Sequence, residues 1–259
     1  MPSYKQIAIK AAKQAGFILK KNLSKKRKIA YKGVVNLVTE MDLYAEEIIT
    51  SLIKKHFPNH NILAEEKVNW QGNSPYRWII DPLDGTTNYA HGFPIFCVSI
   101  ALEKQNQIIL GVVYDPMREE LFIAEKGQGA RLNGQKIHVS SIPKLSQSLL
   151  ATGFPYDLRE SSINNFDHFR NFALRVHAVR RAGSAALDLC YVAAGRFDGF
   201  WEMKLGPWDF AAGSLIVKEA GGKVTDFAGH SLKINSAHVL ASNGKIHREM
   251  MAIIKMGKY

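Results

Sequence analysis

A layered α/β protein built from two subdomains is predicted by three observations. Two amphipathic helical patterns open the chain, a run of short apolar strands with turn residues follows, and the second half alternates strand with helix. The composition agrees. Of 259 residues, 46% are hydrophobic and 22% charged, which is ordinary for a globular fold and argues against disorder.

The helical stripe of residues 3–23 carries Ile7, Ala8, Ala11, Ala12, Ala15, Ile18 and Leu19. A second helix is expected from Glu40 to His56, with Ala45, Ile48, Ile49, Leu52 and Ile53 inward, Thr39 as cap, Asp42 in the first turn and Pro58 beyond its end. Strands follow at Asn61–Ala64, Arg77–Asp81, Pro94–Glu103, Ile108–Tyr114 and Leu121–Glu125, punctuated by Asp115-Pro116 and Gly127-Gln128-Gly129. In the second half, strands near Leu149–Thr152, His177–Arg180, Asp198–Trp201, Gly222–Thr225 and Val239–Ser242 alternate with helices near Ile163–Leu174, Ser184–Ala194, Asp209–Ala220 and Lys245–Lys255. The break falls near Pro143-Lys144-Leu145. It gives subdomains 1–143 and 144–259 packed as one compact unit, because the segment has too little Gly, Ser or Pro to be a free linker.

No run of about 18 apolar residues occurs, so no membrane span is expected, and the N-terminus lacks a signal-peptide core. Cys97 and Cys190 lie in apolar segments without CxxC spacing, which favours a reducing, cytoplasmic setting. The formal charge is +11, concentrated in Lys20, Lys21, Lys25, Lys26, Arg27, Lys28 and Lys32. Such a cluster either steers anionic partners, nucleic acid included, or is a solvated helix end whose cations suit the negative pole of the helix dipole.

The most informative turn is Asp81-Pro82-Leu83-Asp84-Gly85-Thr86-Thr87, directly after the apolar Trp78-Ile79-Ile80. Two carboxylates at a buried strand end suit a hard cation, and the Gly-Thr-Thr beside them offers N–H and hydroxyl groups to a phosphate. Glu65-Glu66 also follows a strand, at the kind of sheet edge where α/β folds bind ligands. Asp42 and Asp209 each open a helix, where an ordinary N-terminal cap is the competing reading. If Glu65, Asp81, Asp84 and Asp209 converge, each pair about 4 Å apart repels by roughly 4 kcal/mol at an effective dielectric of about 20. No lysine or arginine lies near these motifs in sequence to relieve that. All-oxygen ligation selects Mg²⁺ or Mn²⁺ over zinc. Two or three such ions are equipped to activate water against a phosphate monoester.

Other chemistries read weakly. There is no HExxH and no P-loop, and Ser184 lacks a GxSxG elbow. His56 and His60, separated by Pro58, read as surface residues. Gly183-Ser184-Ala185-Ala186 reads as a helix N-terminus facing an anion or a hydroxyl-rich ligand. Glu202, ending a strand, suits the hydroxyls of a polyol.

Asp81-Pro82-Leu83-Asp84-Gly85-Thr86-Thr87-Asn88 together with Trp208-Asp209-Phe210-Ala211-Ala212-Gly213 resembles the paired signatures of the inositol monophosphatase family. Ala64-Glu65-Glu66 and Leu37-Val38-Thr39-Glu40-Met41-Asp42 match its order and spacing. Arg180-Arg181-Ala182-Gly183-Ser184-Ala185-Ala186-Leu187-Asp188-Leu189 is similar to its bacterial, extragenic-suppressor-type branch. The resemblance spans about Ile7 to Ala252. It implies a layered αβαβα sandwich, a homodimer, Mg²⁺ dependence and inhibition by lithium, with a small phosphorylated polyol as substrate.

Carried over by motif, Glu65, Asp81 and the Leu83 carbonyl bind a first metal, and Asp81, Asp84 and Asp209 a second, with Glu65 helping a third. Thr86 with Asp42 orients the attacking water. Gly85 and Thr86 N–H groups hold the phosphate. Asp84, Gly183, Ser184, Ala185 and Glu202 face the polyol. Three departures, Ala64, Glu40 and Lys204, remove no ligand, though Lys204 bears on substrate choice. myo-Inositol 1-phosphate is the expected substrate. Fructose 1,6-bisphosphate, histidinol phosphate and nucleotide 3′-phosphates are the alternatives within the superfamily. The same branch also implies a role in ribosomal RNA transcription antitermination, with elongation factors or RNA polymerase as partners and catalysis secondary.

Overall fold

The structure, a computed structural model, describes residues 2–24, 29–31 and 37–257. The basic residues at 25–28 and Lys32 lie outside the described residues, as does the side chain of Thr39. Helix α1 (Tyr4–Asn22) opens on a capping box. Gln6 N–H donates to Ser3 Oγ at 3.2 Å, and Ser3 N–H donates to Gln6 Oε1 at 2.9 Å. Its buried stripe is the expected one, with Ile18 at the margin. Helix α2 (Glu40–His56) is rotated from expectation: Ala45, Ile49 and Ile53 are buried, Ile48 and Leu52 only partly, and Asp42 and Glu46 are turned inside. A face that carries two buried carboxylates is shaped by something besides a hydrophobic core.

Strands β1 (Ile29–Tyr31) and β2 (Leu37–Thr39) pair antiparallel with each other. The larger sheet comprises β3 (Asn61–Ala64), β4 (Asn69–Trp70), β5 (Tyr76–Asp84), β6 (Cys97–Lys104), β7 (Gln107–Asp115), β8 (Glu120–Glu125), β9 (Ala130–Leu132) and β10 (Gln135–Ile137). Its spatial order is β10-β9-β8-β7-β6-β5-β3-β4. Within this sheet, among the described residues, only β3 and β5 pair parallel, so the ends of these two strands place Glu65 and the Asp81–Asp84 turn at one end of the sheet. Alternation sends Trp78, Ile80, Val98, Ile100, Leu102 and Val112 to one face, against α1 and α2. Ile79, Ala101 and Val113 go to the other.

That second face is covered by α5 (Ala185–Ala193) and α6 (Pro207–Glu219), both helices nearly all buried because each is sandwiched between sheets. The smaller sheet, ordered β12-β11-β13-β15-β14, lies on their far side. Its strands are β11 (Leu149–Thr152), β12 (Ala178–Arg180), β13 (Gly199–Glu202), β14 (Lys223–Thr225) and β15 (Val239–Ser242). A third core of Leu150, Phe172, Trp201, Phe227, Leu240 and Met250 joins it to α4 (Phe166–Ala173) and α7 (His247–Ile254). The layers therefore run helix, sheet, helix, sheet, helix, as expected.

The differences have local causes. Strand β6 begins at Cys97, not Pro94, because residues 93–95 turn: Phe93 N–H donates to Asn88 O and Ile95 N–H to Phe93 O. Helix α4 begins at Phe166 because Asn165 holds a left-handed φ of 75°. Strands β4, β9 and β10 have two or three residues each, too few to show alternation. His60 is not a surface residue. It is buried and stacked on Tyr76, and its Nδ1 accepts from Trp78 Nε1 at 3.1 Å.

Candidate active site

Strand β5 ends in a bulge between Asp81 and Asp84, after which Gly85 adopts φ 97° and the short helix α3 (Thr86–Ala90) begins. Only glycine takes that φ without strain, and an added Cβ would also meet Ile95 O at 2.9 Å. The bulge aims both carboxylates to one side, toward the start of α6. Carboxylate oxygens of Asp81, Asp84 and Asp209 lie within 4.8 Å of one another. Glu65, from the end of β3, lines the same cavity with Leu83 and Thr86. The scattered acids thus converge.

Each carboxylate is fixed by its own local bonds. Leu83 N–H donates to Asp81 Oδ1 at 2.9 Å. Asp84 Oδ2 accepts from Ser184 Oγ at 2.6 Å and Ala186 N–H at 2.7 Å. The N-terminus of α5, expected to meet a ligand, therefore meets the protein's own Asp84, an arrangement its dipole favours. Asp209, third residue of α6, accepts from Gly206 N–H at 2.7 Å. Cap and cluster member are thus one residue. Asp42 Oδ1 and the Leu83 carbonyl both accept from Thr86 Oγ1, each at 3.0 Å.

Burial, with Glu65, Asp84 and Asp209 around it, raises the Asp81 carboxyl well above the ordinary range. Burial and then Glu65 and Asp84 do the same to Asp209. Asp84 is raised by burial, with Ser184 and Ala186 opposing. Three hard oxygen donors that penalise one another in a dry setting fit a divalent cation, whose charge reverses each of these penalties.

Beside the cluster, Gly183, Ser184, Ala185 and Glu202 line a second cavity with Asp84 and Gly85. Burial and then Asp84 raise the Glu202 carboxyl to about 8, while Arg181 opposes them. Arg181 and Lys204 correct one expectation, that no cation relieves the cluster: Arg181 lines this cavity, and Lys204, five residues before Asp209, lines the one that holds Glu65 and Asp81. A larger cavity of about 280 Å³ behind α6, lined by Lys126, Ser214 and Lys218, contains none of these carboxylates.

Several contributors escaped sequence reasoning. Glu46, one turn after Asp42, accepts from Glu66, Lys67 and Val68 N–H, each at 3.0 Å, and so holds the loop behind Glu65. Asp188 is the one charge in the otherwise apolar α5, a signal open to notice, and its Oδ1 is buried without a hydrogen-bond partner among the described residues. Tyr156 lines both cavities and had no sequence signal at all.

Gly153 gives a first prediction. A Cβ built on it would fall inside the Glu202 carboxylate. Since that carboxylate ends a flexible side chain, Gly153→Ala should fold with a melting temperature near wild type but displace Glu202. If Glu202 contacts the polyol phosphate that the sequence leads one to expect, steady-state kinetics should show KM raised about tenfold, the scale of one lost charged hydrogen bond, with kcat little changed. An unaltered KM would remove Glu202 from that expected contact.

The sequence profile of the Inositol monophosphatase family matches residues 2–256. The chain is 46% identical over 252 residues to the inositol-1-monophosphatase of Synechocystis sp., covering 96% of this chain and 88% of that one. It is 42% identical over 258 residues to the Nus factor SuhB of Pseudomonas aeruginosa, covering 96% and 94%. The crystal structure of extragenic suppressor protein suhB from Bartonella henselae superposes with a TM-score of 0.92 at 40% identity, covering 98% of this chain and 99% of that one. The chain belongs to the inositol monophosphatase family of metal-dependent phosphatases.

Proposed function

We propose that this protein hydrolyses a small phosphorylated polyol, myo-inositol 1-phosphate first among them, with Mg²⁺ as cofactor. The observation that carries this reading is the convergence of the Asp81, Asp84 and Asp209 carboxylates beside a second cavity that contains Glu202 and Ser184. Asp81, Asp84, Asp209, Glu65 and the Leu83 carbonyl are assigned to two or three Mg²⁺ ions, with Mn²⁺ as substitute. When bound, these supply charge neutralisation for the phosphoryl oxygens and acidity for water. Thr86, donating to Asp42, accepts from the attacking water and aims it. Gly85 and Thr86 N–H groups hold the phosphate. Gly183, Ser184, Ala185 and Glu202 face the leaving polyol. The family resemblance supports a homodimer.

A phosphate-release screen with and without Mg²⁺ tests the reading. Release from myo-inositol 1-phosphate that requires Mg²⁺ and is suppressed by lithium is expected. Preference of more than tenfold in kcat/KM for a bisphosphate, histidinol phosphate or nucleotide would reassign the substrate.

The relatives named Nus factor SuhB favour a second reading, in which the protein also joins a transcription antitermination complex with elongation factors or RNA polymerase. Arg180 is exposed on the end of β12 and available to such a partner, whereas Arg181 lines the polyol cavity. Co-purification of RNA polymerase with the Asp81→Asn variant would support it, and its absence at low salt would end it.

A further inference from the structure

We propose that Tyr156 is the tip of a lid over the bound ester, its hydroxyl donating a hydrogen bond to a phosphoryl oxygen. The inference rests on the phosphatase reading of the cleft. Residues 153–165 leave β11 and return to α4 as a loop fastened at its base. Asn165 Nδ2 donates to Gly153 O at 2.6 Å and to Thr152 Oγ1 at 2.9 Å, and Asn165 Oδ1 accepts from Trp201 Nε1 at 2.8 Å. Two tight turns stiffen its middle: Leu158 N–H donates to Pro155 O and Glu160 N–H to Asp157 O. Its outer part is clasped from the other side of the cleft, where Lys204 Nζ donates to Asp157 Oδ2 and Ser161 Oγ. Compact loops with joined ends and their own internal packing are common functional covers.

Tyr156 sits between these fasteners. Its side chain lines both the cavity holding Glu65, Asp81 and Thr86 and the one holding Ser184, Asp188 and Glu202, so it straddles their seam. An ester with its phosphate on the metals and its alcohol against Glu202 passes beneath it. The residue as a whole is 55% exposed, so part of it faces solvent, while the cleft carboxylates of Glu65, Asp209, Asp84 and Glu202 act on its hydroxyl.

Of the residues that line both cavities, Asp84, Gly85, Tyr156 and Asp209, only Tyr156 carries a side-chain donor. The Thr86 hydroxyl is committed to Asp42 or Leu83, that of Ser184 to Asp84, and two of the three Lys204 ammonium protons to Asp157 and Ser161. The Tyr156 hydroxyl has no hydrogen-bond partner among the described residues. A phenol is neutral at pH 7, so the hydroxyl has a proton to donate. An ionised phosphate is mainly an acceptor, so an uncommitted neutral donor at the seam complements it.

The test uses the full chain, with inorganic phosphate plus Mg²⁺ as a probe that needs no turnover. Titration calorimetry should show Tyr156→Phe binding phosphate about tenfold more weakly than wild type. KM for myo-inositol 1-phosphate should rise by a similar factor. The Mg²⁺ concentration for half-maximal activity and the melting temperature should stay put, which general damage to the site would not allow. Lys204→Met, which unclasps the loop, should shift affinity the same way by about threefold and speed proteolytic cleavage within 153–165. Phosphate affinity of Tyr156→Phe within twofold of wild type overturns the lid, as does a changed Mg²⁺ requirement or a wild type that binds no phosphate. A wild type that releases phosphate from no ester overturns the hydrolytic reading instead, and the affinity comparison still decides the lid.

Discussion

Asp81→Asn should abolish phosphate release, by at least about 10³-fold at saturating Mg²⁺, and at the same time make the metal-free protein harder to melt. The loss is about 4 kcal/mol of transition-state stabilisation or more, the scale of removing a preorganised charge-stabilising group. The gain follows from the same geometry. Three carboxylates have oxygens within 4.8 Å of one another. At an effective dielectric of about 20, each ionised pair at that separation repels by about 3–4 kcal/mol. Partial protonation softens this, but an amide at position 81 removes two of the three repulsions and keeps an acceptor for Leu83 N–H. For a chain of this size each 1 kcal/mol is worth about 2–4 °C. In EDTA the variant should therefore melt several degrees above wild type. With millimolar Mg²⁺ the order should reverse, since only wild type gains binding energy from the ions. Calorimetric scans of both proteins in both buffers check this. A metal-free variant that melts lower than wild type would refute the electrostatic account of the cluster.

The pH dependence has a definite sign. Asp81 and Asp209 are raised above their unfolded values, so between the ordinary carboxylate range and the raised one the folded state binds more protons than the unfolded. Stability of the metal-free protein therefore falls as pH rises through that window. Protonation at lower pH does part of the work that a bound divalent cation would do at neutral pH. Acid and metal are alternative remedies for one concentration of charge.

The carboxylates were legible in the sequence because each marks the end of an element whose periodicity is clear. Trp78-Ile79-Ile80 announces a strand and Asp81 its end, while Pro207-Trp208-Asp209 announces a helix start. The same patterns predict a layered α/β protein of two subdomains, and the order of its layers is what the family resemblance implies. What surrounds the cluster was less legible, for reasons that differ by residue. Glu46 was passed over because its position on α2 resembled a surface position. It proved buried because three consecutive backbone N–H groups needed an acceptor there. His60 looked exposed beside a proline, and only the sheet puts Trp78 against it. Arg181 and Lys204 are far in sequence from the Asp81–Asp84 turn, and the sheet–helix–sheet stacking of the middle layers brings Arg181 into a cavity with Asp84 and Lys204 into one with Asp81. Local patterns report elements and their ends. They do not report which side chains an assembled cleft borrows from elsewhere.

Thr86→Ala should be the second large effect, and one of a different kind. The Thr86 hydroxyl has one proton and two acceptors, Asp42 Oδ1 and the Leu83 carbonyl, both at 3.0 Å. If that carbonyl serves a cation, the proton is left to Asp42, and the hydroxyl's lone pairs are free to accept from water. The pair then acts as a positioned proton acceptor, worth about 10²–10⁴-fold in rate. Thr86→Ala should lose kcat by about that factor while KM stays within about threefold of wild type. The rise in melting temperature with Mg²⁺ should be retained, because the carboxylate cluster is intact. Asp42→Asn should reproduce the loss, since an amide oxygen is a weaker acceptor and its N–H₂ competes as a donor. Residues that work as one unit are non-additive, so the double variant should be no slower than the worse single one. If the two losses multiply, Thr86 and Asp42 act separately and the shared proton is not the device. If Thr86→Ala instead loses its Mg²⁺-dependent stabilisation, the residue belongs to the metal site and the water has another partner.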